Sequence, residues 1–273
     1  MNLIDALGQH HQVAQSSPRI VSLVPSLTEL LFDLGLGSFV VGRTGFCIHP
    51  ATEVASVPKV GGTKDVNIEK IRRLAPTHLI VNIDENEKPT VDALAEFVPH
   101  IIVTHPRTVR DNLALYDLFG SIFNVPDAAK ALMQAFELAY AKVQPAQQER
   151  VLYCIWRDPW MSVGPDTYIS QMLALKNWQQ WKFYEQFSDK FNNIAARYPV
   201  FEWDKLPLSQ IDRILLSTEP YRFTSAHCEQ LAQKLQRPVQ LVDGEMLSWY
   251  GSRAVQGLVY LQNITKLCAD LVH

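Results

Sequence analysis

The sequence predicts an α/β chain of two lobes, each built on a mostly parallel sheet, joined by one long helix. Short β-branched runs at residues 19–24, 39–42, 78–81 and 101–103 alternate with helical stretches, the order in which parallel sheets are wound. Between Pro126 and Pro145 there is no glycine, and Ala129, Leu132, Met133, Phe136, Ala139, Tyr140 and Val143 share one helical stripe. The alternation then restarts at residues 150–156, 211–217 and 239–242. With 273 residues, 47% hydrophobic and 19% charged, the chain has apolar material for two cores and is too apolar for a disordered segment.

Residues 1–18 read as an N-terminal tail that carries His10 and His11 as mobile side chains. Residues 19–123 form the N-terminal α/β lobe. Within it, residues 19–24 read as a strand buried on both faces, and Ser26-Leu27-Thr28-Glu29 as a capping box opening a helix that stops at Gly35. Asn67 is the expected N-cap of a helix ended by Pro76, and His78 a satisfied sheet histidine. Gly61-Gly62-Thr63-Lys64 lacks the G-x-x-x-x-G-K spacing of a phosphate loop and reads as a turn. Residues 124–148 carry the interlobe helix, whose ~18 residues span about 27 Å. Residues 149–273 form the C-terminal α/β lobe, with helices expected over residues 167–175, 224–235 and from 248 onward. The aromatic-rich segment 177–206 receives no assignment.

Lysine and arginine total 25 against 28 acidic residues, a net charge of −3, so the basic footprint of a nucleic-acid binder is absent. Cys47, Cys154, Cys228 and Cys268 form no C-x-x-C pair, which argues against a zinc knuckle or redox dithiol. Residues 1–15 show neither a basic start nor an apolar run. The apolar stretch 20–42 is broken by Glu29 and Asp33, short of the roughly 18 apolar residues of a membrane span. The expectation is a monomer without a membrane span, cytoplasmic as written, and periplasmic if the native start lies upstream.

Ligands of open parallel sheets lie beyond the carboxyl ends of the strands. The residues expected there are Ser26, Arg43, Thr44 and Phe46 from the first lobe and Trp156, Arg157, Trp160, Tyr221, Trp249, Tyr250 and Arg253 from the second. Flat rings and guanidinium groups suit a large planar or amphipathic ligand bearing carboxylates, phosphate or amides. Cys47 and His49, two apart, would share a side in an extended segment and suit a soft metal, although two ligands are too few for a site. Asp84, Glu85 and Glu87 repel one another and suit a solvated loop. No G-x-S-x-G elbow or H-E-x-x-H pair is present.

Arg19-Ile20-Val21-Ser22-Leu23-Val24-Pro25-Ser26 with Thr28-Glu29, then Val41-Gly42-Arg43-Thr44, Val60-Gly61-Gly62, residues 71–76 and His78-Leu79-Ile80-Val81, resemble the N-terminal lobe of a known family. It is that of the helical-backbone (class III) substrate-binding proteins serving cobalamin, heme and iron-siderophore ABC importers, and the likeness is strongest to the cobalamin-binding members. The resemblance implies that residues 126–143 are the rigid interlobe helix and Trp249 the late aromatic. It implies a corrinoid or other metal chelate held between lobes that move little, with no cofactor required. It also implies that surface carboxylates, Glu219 on one lobe and Glu85 or Glu87 on the other, dock onto permease arginines. Two functions follow. One is a ligand-binding protein, either the substrate-binding component of an ABC transporter or a cytosolic relative. The other is a cytosolic enzyme using Cys47 as nucleophile or ligand with Asp158 or Glu245 as acid/base, and no base is visibly paired with Cys47.

Overall fold

Strands buried on both faces need helices over each, and the inner strands of both sheets are buried over residues 20–22, 78–82, 151–155 and 214–217. The computed structural model describes residues 2–15, 17–183 and 197–264. The chain divides into two units, the first comprising Met1–Pro106, Arg110–Glu137 and Tyr250–Arg253, the second Arg107–Val109, Leu138–Trp249 and Ala254–His273.

In the first unit, β1 (Ile20–Ser22), β2 (Val40–Arg43), β3 (His78–Asn82) and β4 (His100–Thr104) form a parallel sheet in the order β2-β1-β3-β4. Every residue of β1 and β3 is buried. Helices α1 (Pro25–Asp33), α2 (Ala51–Val54), α3 (Ile68–Leu74), α4 (Lys88–Ala95) and α5 (Asp111–Ile122) connect and follow the strands. Val21, Leu79 and Val81 project from alternate strand positions into one cluster with Ile71, Leu94 and Val98. Asn67 caps α3 as the sequence predicts, accepting from Lys70 N at 2.8 Å, and the helix ends at Ala75 in the left-handed region, just before Pro76.

The capping box expected at Ser26 is not formed. Pro25 already occupies the first turn of α1, and the N-cap, Val24, offers no side-chain acceptor. Thr28 instead donates to Ser22 Oγ at 2.8 Å and Val24 O at 2.9 Å, and Glu29 turns to Arg253. That ion pair is bidentate, at 2.8 Å and 2.5 Å, with both side chains close to fully buried. Around it, Gly251 N donates to Asn112 Oδ1 at 2.7 Å, and Tyr116 Oη donates to Gly251 O at 2.8 Å. Gly251 has φ +79°, and a Cβ there would stand 3.1 Å from Ser26 O, so only glycine fits. Residues 250–253 are thereby bonded into a sheet layer from which they are more than a hundred positions distant in sequence.

The mobile tail expected at residues 1–18 is also corrected. Asp5 accepts from Leu7 N, Gln9 N and Val103 N, and from His11 Nε2 at 3.2 Å, while Ala6 N donates to Val103 O at 3.0 Å. Short-range sequence reading could not see that the edge of β4 supplies partners for this segment.

Helix α6 (Pro126–Ala141) is continuous, with its residues up to Glu137 counted in the first unit and those from Leu138 in the second. In the second unit, β5 (Glu149–Trp156) pairs with β6 (Met161–Ser162) in antiparallel fashion and with β7 (Trp178–Gln180) and β8 (Arg213–Ser217) in parallel; β9 (Val239–Val242) lies outside β8. Helices α7 (Tyr168–Ala174), α8 (Ser225–Leu235), α9 (Gly244–Ser248) and α10 (Arg253–Asn263) complete it. The helix expected from residue 248 onward begins at Arg253, and a separate short helix ends at Ser248. Leu152, Cys154, Ile214 and Leu216 meet Phe201, Phe223 and Leu231 in the core. The unassigned segment thus supplies β7, with Trp178 wholly buried, and Phe201; residues 184–196 of it lie outside the described residues.

Arg253→Ala leaves Glu29 buried without its partner, so urea unfolding is expected to show a loss of about 3–5 kcal/mol, and a Glu29→Met/Arg253→Met double variant to recover most of it. Equal losses in both variants would contradict a coupled pair. His78 is buried, hydrogen-bonded to Thr77 at 2.8 Å and stacked on His100 at 4.8 Å. Burial, reinforced by the neighbouring His100 and His11, pushes its pKa down from 6.5 to about 4. The unfolded chain therefore binds a proton at His78 that the folded one refuses, and stability falls as pH drops through 6.5, levelling below about 4. This amounts to about 2 kcal/mol between pH 7 and 5, and His78→Phe, which keeps a ring against Phe123, should flatten that part of the profile.

Candidate functional site

Because the strands of a parallel sheet end on one edge, the loops that follow them gather there, and the crevice opens where neighbouring connections diverge. In the first sheet that point lies between β1 and β3, and in the second between β5 and β8.

At the first point, residues 23–26 meet residues 83–87. Asn86 ties them, donating to Leu23 O at 3.4 Å and Thr63 O at 3.0 Å while accepting from Asn82 N at 2.9 Å. Tyr250 Oη donates to Glu85 Oε1 at 2.5 Å. Burial, and next the Glu85 charge, pushes the Tyr250 hydroxyl well above its usual range, so it stays a donor. Glu85 is accordingly half-buried and held, while Glu87, at the N-cap position of α4, is exposed. The loop after β2 places Phe46 and Ile48 outward, 63% and 49% exposed, and Ile83 after β3 adds a third exposed apolar side chain.

Several expected ligand contacts prove to be committed elsewhere. Arg43 is buried and donates to Val54 O at 3.1 Å and Thr44 O at 3.2 Å, pinning the loop to α2. Ser26, Thr44 and Tyr250 are buried, and the Arg253 guanidinium belongs to Glu29. His49 is half-buried, and Cys47 is fully buried. Its thiol points inward to Thr28 Oγ1 and Thr44 Oγ1, both at 3.1 Å, and burial pushes its pKa up. Among the described residues no three metal-ligating side chains converge.

At the second point, Trp156 is 39% exposed and meets Tyr221 edge-on, with ring centres 5.6 Å apart. Glu219, expected as a surface carboxylate, is instead half-buried. It accepts from Ser248 Oγ at 2.8 Å and Trp249 Nε1 at 2.7 Å. Burial raises its pKa against the effect of the Ser248 bond. Gly244 makes this approach possible, since a Cβ there would fall 2.5 Å from Glu219 Cγ and from Ser217 Oγ. Trp249 is therefore a buried support for Glu219, with its indole N–H used. Trp160 stacks at 13° on Phe223 and stands edge-on to Trp203, in an aromatic cluster beside α8. Trp203, Phe201 and Phe223 went unmarked in the sequence; the density of aromatics around them was the only signal.

The model of the periplasmic binding protein family matches residues 20–211. The chain belongs to that family. It is 30% identical over 183 residues to an uncharacterized ABC transporter substrate-binding lipoprotein of Bacillus subtilis, an alignment covering 62% of this chain and 57% of that one. It is 22% identical over 131 residues to the vitamin B12-binding protein of Pectobacterium atrosepticum, covering 48% and 47%. The matched stretch thus spans about half the length of these curated relatives. The apo structure of a periplasmic heme-binding protein from Roseiflexus sp. RS-1 superposes with a TM-score of 0.75 at 20% identity, covering 94% of this chain and all of that one; this likeness establishes the fold.

The buried thiols make a chemical prediction. Burial raises Cys47, Cys154 and Cys228, the last to about 11, so few thiolates exist near neutral pH. Iodoacetamide at pH 7.5 is expected to leave all three unmodified in the native protein and to label them after denaturation, read by peptide mass spectrometry. Rapid native labelling of Cys47 would restore the reading of that thiol as a nucleophile.

Proposed function

We propose that the protein is the ligand-binding component of an ABC importer and that its strand-end surfaces receive a planar metal chelate, a corrinoid or a heme. The observation that carries this reading is the outward aromatic surface at the strand ends, Trp156 with Tyr221 in one unit and Phe46 in the other, on a chain of the periplasmic binding protein family. Rings of this kind give stacking area to a flat macrocycle at low entropic cost. Relatives whose names record vitamin B12 or heme binding support the same class of ligand. Among the described residues no helix is long and apolar enough to cross a membrane. A position on the outer side of the cytoplasmic membrane, served by a separate permease, is part of the proposal. Permease docking in the first unit falls to Glu87, since Tyr250 already holds Glu85.

Titration with cyanocobalamin and with hemin, followed by tryptophan fluorescence, is expected to give saturable quenching by one of them at micromolar concentration, about 8 kcal/mol of binding. Trp156→Ala should weaken that response about tenfold or more, which a side chain this exposed allows without loss of fold. A flat response to corrinoids, hemes and ferric siderophores alike rejects the proposal.

A further inference from the structure

A second concave site opens between the loop that follows β5 and the flank of α8. One hollow of about 300 Å³ is lined by Arg157, Asp158, Trp160, Trp203, His227 and Lys234, among others. It shares Trp160, Trp203 and Lys234 with a neighbouring hollow of about 650 Å³ that extends to Phe201 and Leu208.

The lining is unusually rich in donors. The Trp203 indole N–H is buried and makes no hydrogen bond. The same holds for Arg157 Nε, which lies 3.3 Å from Asp158 Oδ2 but out of hydrogen-bonding alignment. Buried donors left in this state cost free energy that an acceptor would return. His227 adds another: its Nδ1 accepts from Thr224 N at 3.0 Å, which leaves the ring proton on Nε2. Lys234 supplies an exposed ammonium from the last turn of α8. Against these, the smaller hollow presents one carboxylate, Asp158, beside Arg157, and this hollow is the candidate site, since the larger one adds Glu202 and Asp204. The walls are aromatic, with Trp160 and Trp203 set edge-on at 75° and 5.0 Å. Donors and positive charge on a frame of rings match a flat acid.

We propose that this hollow binds a small mono- or bicyclic aromatic carboxylate, its ring against Trp160 and Trp203 and its carboxylate met by Arg157 and Lys234. The hollow adjoins the strand-end surface of the second unit through Arg157 and Trp160, but it is proposed to take a different ligand class, and neither binding event requires the other.

Isothermal titration of the full chain with 2-naphthoate tests it. The expected result is saturable binding of one equivalent, weakened about tenfold for the uncharged 2-naphthylmethanol and about tenfold by Lys234→Met, the effect of removing one charge-assisted hydrogen bond. Trp203→Phe, which keeps an aromatic ring and removes the N–H, should weaken it as well, and Lys234→Met should melt with the wild type. No saturable heat up to about 1 mM, affinity well below that of ordinary small ligands, overturns the proposal. So does equal binding of acid and alcohol, or loss of naphthoate binding in Trp156→Ala with none in Lys234→Met, which would locate the acid at the strand ends.

Discussion

The buried pair between Glu29 and Arg253 is the constraint on which the first unit depends. Two charges removed from water are tolerable only while each satisfies the other, so the position of α1 is tied to a residue 224 positions later in the chain. Tyr250, Gly251 and their partners Glu85, Asn112 and Tyr116 extend this tie to the loop after β3 and to α5. The loops at the carboxyl ends of β1 and β3 are thus tied to residues 250–253, far later in the chain. A rigid loop of this kind presents an apolar group such as Ile83 without an ordering cost at the moment of binding.

The second unit reaches a similar result by different means. Its tie is a half-buried carboxylate, Glu219, bonded to Ser248 and Trp249 across a glycine that lets α9 approach β8. In each unit a carboxylate beside the strand ends, Glu85 or Glu219, serves the architecture with a buried aromatic partner, while Phe46 and Trp156 remain outward. That division of labour favours a ligand recognised through its faces more than through its charges.

The strands were legible because parallel sheets buried on both faces leave unbroken apolar runs, and Asn67 was legible because an N-cap acts within three residues of itself. The misreadings share one cause. Thr28 and Glu29 have the residue types of a capping box, but their partners are Ser22 and Arg253, and nothing local distinguishes the two uses. Arg43, Trp249 and Glu219 look like recognition residues in sequence, and only tertiary hydrogen bonds reveal them as supports. The tail was misjudged for the same reason, since Asp5 gains its meaning from Val103. Segment 177–206 is short of β-branched runs, so a three-residue strand around Trp178 left no periodic trace.

The central claim, that ligand contacts fall on the loops beyond the strand ends, is tested most directly by hydrogen exchange with and without a saturating chelate, read by mass spectrometry. Slowed exchange is expected at residues 44–50, 83–87, 156–160 and 218–224, with little change in β3 or β8. Protection confined to other surfaces would contradict it.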